Sequence, residues 1–156
     1  MIKLRAASNK DRRLIWEWSN DPDVRAESFS SEAIPFNDHV KWFESKIGNP
    51  DCFLYIAEDS SQTPIGQVRF ELEDNDATIS ISLDRKFRHK GYGSMIIALA
   101  SQNIFAVSKA SVIHAYIKER NFASASAFKK AGYVFQENKV IKGQKATHLI
   151  LTKKAR

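Results

Sequence analysis

Four cations, Arg85, Lys86, Arg88 and Lys90, stand within six residues, and two glycines follow at Gly91 and Gly93. The whole stretch, Arg88-His89-Lys90-Gly91-Tyr92-Gly93-Ser94, suits an anion. Glycine admits positive φ and lets a ligand approach the backbone closely. Successive N–H groups at the start of a helix hold phosphate oxygens. The chemistry this supports is the binding of a small molecule that carries a pyrophosphate. Two familiar phosphate loops do not match. No G-x-x-x-x-G-K-[ST] occurs, and Ile96 stands where a dinucleotide fingerprint needs its third glycine.

The flanking residues say how such a loop is held. Residues 77–83 alternate apolar and polar, as a strand does, and residues 95–100 open a buried helix, so the loop is a strand-to-helix turn. Strands are also expected at residues 2–6, 53–57, 65–72, 111–117, 133–135 and 147–151. A helix through residues 14–18 takes Asn9 or Asp11 as its cap, and Pro22 stops it. Residues 24–35 read as an irregular arm. A second helix, capped by Asn37, covers residues 38–47 and ends at Gly48. A third runs from the loop to about Val107, and a fourth covers residues 123–131 before Gly132. Residues 138–145 read as a basic, polar stretch. The order predicts an α/β (α+β) fold in one domain over residues 1–156. Its mixed, mostly antiparallel sheet has about seven strands, flanked by about four helices.

Composition narrows the function. The chain has 156 residues, 43% of them apolar and 27% charged, which is ordinary for a globular domain. A single cysteine, Cys52, gives neither an internal disulfide nor a cysteine zinc site, and no metal is expected. The net charge of +6 fits either a nucleic-acid surface or a pocket for an anionic small ligand. The basic residues are scattered apart from residues 85–90 and the tail Lys153, Lys154 and Arg156. No nucleic-acid reading motif accompanies them, so no nucleic-acid partner is expected. No apolar run reaches membrane-spanning length, no secretory h-region opens the sequence, and the expected location is the cytoplasm.

Arg88, Gly91 and Gly93 spell R-x-x-G-x-G. This resembles the acyl-CoA loop of the GCN5-related N-acetyltransferases, the GNAT superfamily. Asn121-x-x-Ser124-x-x-x-Phe128-x-x-x-Gly132-Tyr133 resembles the family's second block. Together the resemblance covers most of residues 53–151. It implies a V-shaped gap between two parallel central strands, residues 77–83 and 111–117, with acetyl-CoA lying in it. Backbone groups near Leu83 would bind the pantetheine. N–H groups of His89, Lys90, Gly91, Tyr92, Gly93 and Ser94 would hold the pyrophosphate beside Arg88. Asn121, Ser124 and Phe128 would line the cofactor, although Asn121 can equally cap its helix. An amine would attack the thioester directly.

The chain departs from the family pattern at two places. The tyrosine that protonates the leaving thiolate falls at Phe128, and the glutamate of the strand before the loop falls at Thr78. Water or Tyr133 would then supply the proton. The base would be His39, Glu71 or Glu119, or an ordered water; each side chain also has a plain structural reading, as core cover or solvated charge. The N-terminal third resembles amino-sugar-nucleotide N-acetyltransferases of bacterial surface-glycan pathways, such as pseudaminic acid synthesis. It resembles the ribosomal-protein N-acetyltransferases more distantly. Arg25 and Arg69 would meet a diphosphate, and Phe29 and Trp42 a nucleotide base. The expected function is acetyl transfer from acetyl-CoA to a 4-amino-sugar nucleotide. The alternatives are protein α-amine acetylation and a non-catalytic acyl-CoA-binding module. The chain is expected as a monomer or homodimer, without membrane association.

Overall fold

The computed structural model describes residues 1–154. Arg156 of the basic tail lies outside them. The elements are β1 (Lys3–Ala6), α1 (Arg12–Ser19), α2 (Pro22–Glu27), α3 (Phe36–Ile47), β2 (Cys52–Glu58), β3 (Pro64–Glu73) and β4 (Asp76–Leu83). There follow α4 (Tyr92–Val107), β5 (Val112–Lys118), α5 (Phe122–Lys130), β6 (Val134–Ile141) and β7 (Gln144–Thr152). The seven strands form one sheet in the order β1-β2-β3-β4-β5-β7-β6. All neighbours pair antiparallel except β4 and β5. No helix among the described residues is long and apolar enough to cross a membrane.

Strand alternation gives the sheet two unlike faces. On one, Val68, Phe70, Ala77, Ile79, Ile113, Ala115 and Leu149 meet Ile96, Ile97, Ala100 and Ile104 of α4 and Phe128 of α5. Each of the larger of these side chains contributes roughly 1.5–3 kcal/mol by leaving water. On the other, Ile15 and Trp18 of α1 and Phe43 of α3 pack on Leu54 and Ile56 of β2. That second core covers only the β2 side. Beyond it the face turns polar, with Thr78, Ser80 and Ser82 on β4 and His114 and Tyr116 on β5.

The feature that matters for function is a short pairing. β4 and β5 meet on three rungs only: Asp76–Val112, Ala77–Ile113 and Thr78–His114. β4 stays paired to β3 as far as Leu83, and β5 stays paired to β7 as far as Lys118. Residues 79–83 and 115–118 therefore diverge, and the sheet splits. The expected V-shaped gap is present.

Three local expectations are corrected. Pro22 does not simply end a helix; it occupies the first turn of α2, where its missing N–H costs nothing. Asp21 caps that helix by accepting the Asp23 N–H at 2.9 Å, so the irregular arm begins only after Glu27. α3 starts at Phe36 with Pro35 at its cap position, not at a capping Asn37. β6 continues through the first half of the stretch read as polar, to Ile141. Lys142 and Gly143 then turn it into β7, both at positive φ, +50° and +76°, as a tight two-residue hairpin turn requires.

Candidate active site

The glycine loop is held from below. Trp18 donates its indole N–H to Asp84 at 2.9 Å, tying α1 to the end of β4. Gly66 lets β3 approach that end closely, since a Cβ there would lie 2.7 Å from the Ser82 carbonyl oxygen. A 3-10 turn, Arg85–Phe87, then leads into the loop. His89 and Gly91 sit at φ +61° and +84°. α4 begins at Tyr92 with no side chain capping it. Its first N–H groups have no intrahelical acceptor either. Gly91 is needed for its backbone angle, because nothing lies within 4 Å of a Cβ there. Gly93 has an ordinary angle, and a Cβ there would only touch Ala127 and Leu83 at 3.7 and 3.8 Å. The open N–H groups, the exposed side chains of Lys86, His89 and Lys90, and the free space above Gly91 fit a diphosphate.

Arg88 is not one of the free cations. Its Nε and Nη2 donate to the Leu83 carbonyl at 3.1 and 2.9 Å, and it pairs with Asp21 and Asp23 at 3.4 Å each. Arg85 joins Asp21 at 3.2 Å. Arg88 thus shapes the loop, and the Leu83 carbonyl is already engaged. Burial works against the Asp21 charge, but the Asp23 N–H and Arg88 outweigh it and hold the carboxyl below its ordinary range.

The second block supplies the other wall. Asn121 caps α5 by accepting the Ser124 N–H at 3.1 Å, which is one of its two expected roles. Phe128 is buried in the core and meets the Tyr133 ring edge-on at 5.0 Å. Tyr133 is equally buried, and its hydroxyl bonds Ser101 at 2.8 Å. Burial pushes the phenol far up, against a small opposing effect of Ser101. Tyr133 therefore does not fit the expectation of a substitute acid.

The candidate bases fall in three different settings. His39 is 2% exposed, its Nε2 lies 2.9 Å from the Arg12 carbonyl, and Phe36, Trp42 and Phe43 surround its ring. This placement suits a neutral core histidine and not a base. Glu71 pairs with Lys46 and, at 3.3 Å, with Arg69. Burial raises its carboxyl, but the Lys46 hydrogen bond and both charges outweigh that and lower it, so it is a poor proton acceptor. Glu119 is exposed just past β5.

The acceptor candidates separate. The Arg69 guanidinium lies 5.0 Å from the Trp42 ring centroid and reaches Ser80 of β4 at 3.3 Å, on the polar face beside the gap. Arg25 instead braces the arm, donating to the carbonyls of Ser19 and Ser30 at 2.7 Å. That arm bridges to the far half of the sheet. Gln144 donates to the Phe29 carbonyl at 2.8 Å, Lys118 to that of Ala26 at 2.6 Å, and Lys142 to Ser30 Oγ at 2.6 Å. Arg25 and Phe29 thus hold a strap, while Trp42 and Arg69 pair with each other on the polar face beside the gap. His114 and Tyr116, which the reading of the sequence did not single out, border the gap on the same face. Their only signal was the alternation of residues 112–118.

Comparison with known proteins agrees with this geometry. The family described as Acetyltransferase (GNAT) domain matches residues 2–134. The Uncharacterized protein MJ1062 of Methanocaldococcus jannaschii is 23% identical over 137 residues, which are 85% of this chain and 28% of that protein. The chain thus spans under a third of that relative's length. Among solved structures, spermidine N-acetyltransferase from Vibrio cholerae in complex with CoA and spermine superposes with a TM-score of 0.88 at 19% identity. That match covers 97% of this chain and 95% of the other. Aminoglycoside acetyltransferase AAC(6')-Ib in complex with coenzyme A superposes with a TM-score of 0.84 at 17% identity, covering 98% and 95%. Likeness at such identity establishes a shared fold. With the family match spanning most of the chain, and with the gap and glycine loop in place, the chain belongs to the acetyltransferase (GNAT) domain family.

Proposed function

We propose that this chain acetylates the primary amine of an amino-sugar nucleotide. The observation that carries acetyl transfer is the split between β4 and β5 after Thr78 and His114, above the uncapped start of α4. The loop N–H groups of His89 to Ser94, with Lys86 and Lys90, would hold the donor's pyrophosphate. The unpaired edges of β4 and β5 would hold its arm by backbone hydrogen bonds. Acetyl-CoA supplies an activated acyl group there. The protein's contribution is to position the amine, to exclude water and to take a proton. The nucleotide acceptor is supported by the Trp42–Arg69 pair, an aromatic face and a cation next to the gap.

A second reading is a polycationic acceptor. Asp76 and Glu137 favour it, with side chains 58% and 51% exposed near the same face. The fold neighbours named for spermidine and aminoglycosides add to it.

Calorimetric titration with acetyl-CoA, on the natural chain and on Gly93→Val, tests the donor site. Thiol release with a UDP-4-amino sugar, spermine, kanamycin and an N-terminal peptide then sorts the acceptors. Turnover with the sugar nucleotide is the expected result. Turnover with spermine or kanamycin alone replaces it by the second reading, and peptide turnover alone by α-amine acetylation. Binding without turnover of any amine leaves an acyl-CoA-binding module.

A further inference from the structure

Four titratable side chains cross the sheet in a row beside the gap. They are Asp76 on β4, His114 on β5, His148 on β7 and Glu137 on β6. Strand register puts them on one face: His114 is opposite Thr78, His148 opposite Tyr116, and Glu137 opposite His148. Asp76 Oδ1 lies 3.0 Å from His114 Nε2, His114 Nδ1 lies 2.8 Å from His148 Nε2, and His148 Nδ1 lies 2.9 Å from Glu137 Oε2. The ends of the row are wet and its middle is dry, since the His148 side chain is 6% exposed. Tyr116 stacks on His148 at 4.5 Å, and Lys139 Nζ lies 5.3 Å from the Tyr116 ring. The charged groups that face the pair are thus the two carboxylates and the Lys139 ammonium.

Counting protons shows what such a row can do. Its three hydrogen bonds each need one N–H, because ionised carboxylates only accept. Two neutral imidazoles bring two. A complete row therefore holds a third proton, one net imidazolium shared by the pair. Without it, one contact is vacant. The vacancy moves along the row as the N–H protons shift. When it rests on His114 Nε2, a bare nitrogen of His114, on the last rung before the gap opens, faces Asp76 two rungs further back.

We propose that this row is the base for acetyl transfer, an inference that rests on the acetyltransferase reading. The acceptor ammonium binds the Asp76 carboxylate, directly or through one water. One proton passes from the ammonium to that carboxylate, and the carboxylate hands the same proton on to the bare His114 Nε2. The freed nitrogen lone pair bonds the acetyl carbon, and the C–S bond breaks with its electrons on sulfur. The second surplus proton on nitrogen goes to the thiolate through solvent. The row then releases its extra proton from Glu137 to bulk water. One ammonium and one thioester give one amide, one thiol and one released proton. His148 and Glu137 act through His114 and are positioning residues.

The test uses the whole chain. Long-range proton–nitrogen NMR of the imidazoles, without donor or acceptor, is expected to find His114 and His148 titrating together as a coupled pair that loses one proton. Glu137→Gln, at an exposed site that spares the fold, is expected to change the His148 tautomer and to displace the kcat–pH profile. His114→Gln is expected to lower kcat by about 10²-fold or more while acetyl-CoA affinity stays unchanged. Two independent histidine titrations, each insensitive to Glu137→Gln, would overturn the row. Acetylation with an unaltered pH profile in both variants overturns it as the base and leaves the proposed function standing. A natural chain that binds no acetyl-CoA overturns the proposed function itself, whatever the imidazoles do.

Discussion

The guanidinium of Arg88 closes on the carbonyl oxygen of Leu83 with two nitrogens, at 2.9 and 3.1 Å. The same group meets Asp21, whose carboxylate is largely buried. The basic residue of the loop is thus a brace between β4, α2 and the cradle. Arg88→Met takes the guanidinium from the Leu83 carbonyl, a loss worth roughly 1–3 kcal/mol when buried, while Asp21 keeps the Asp23 N–H and Arg85. A fall in melting temperature and a tenfold or larger rise in the acetyl-CoA dissociation constant are expected, measured by calorimetry. Lys90→Ala removes only an exposed charge. It is expected to spare stability and to weaken donor binding in a salt-dependent way. Equal effects of the two substitutions would contradict the brace.

Gly91 and Gly93 answer to different demands. Gly91→Ala places a side chain at φ +84°, where the left-handed backbone costs roughly 1–2 kcal/mol although space is free. Gly93→Ala meets only ordinary contacts at 3.7 and 3.8 Å. The first is expected to lower the melting temperature. The second is expected to leave it unchanged yet weaken acetyl-CoA binding, because the added methyl would stand beside the loop N–H groups proposed to hold the donor. A Gly93→Ala protein that binds as the natural one does would show that the donor keeps clear of that turn.

Gly66 is a third case, set by packing. A Cβ there would lie 2.7 Å from the Ser82 oxygen and 2.8 Å from Leu83 Cδ2. Strand β4 must move, and overpacking of this kind costs about 1–3 kcal/mol. Gly66→Ala is expected to lower the melting temperature by about 2–4 °C per kcal/mol in a chain of this size. It should also shift the amide resonances of Ser82 and Leu83.

Acid unfolding is expected in two windows. Burial holds His39 below its ordinary value of 6.5; the Arg12 charge adds to this and the Arg12 carbonyl opposes it. The unfolded chain then binds a proton first, so this contribution is full above about pH 6.5 and falls as the pH drops below it. Asp11 is raised by burial but lowered more by Arg5, at 2.8 Å, and by the Ser8 N–H. Its contribution is present above the unfolded value near 3.8 and is lost as the pH falls through the lower folded value. Denaturation midpoints from pH 7.5 to 3 check this. His39→Gln should flatten the upper window and Asp11→Asn the lower.

The sequence made some of this legible and hid the rest for physical reasons. The loop could be read because its chemistry is local: cations and glycines lie side by side between a strand and a helix. Strand β6 could not be read past Phe135, because its side chains are exposed and carry no alternation. α2 was hidden because Asp21-Pro22 signals a stop and a start equally well. Arg88 looked like a ligand residue, since its charge was visible and its partners, 67 and 65 positions away, were not. The row from Asp76 to Glu137 exists only through the register of four strands, and no spacing within one segment announces it.

The three rungs between β4 and β5 also bear on how the molecule holds together. In a continuous sheet, each strand is secured along its length by its neighbours. Here the halves β1–β4 and β5–β7 share one short seam, and the backbone groups of residues 79–83 and 115–118 on the gap side have no strand to meet. A donor lying between them stands in for the absent strand. Catalysis and architecture then draw on the same backbone groups, so within the sheet the seam is sewn in full only while the substrate lies there.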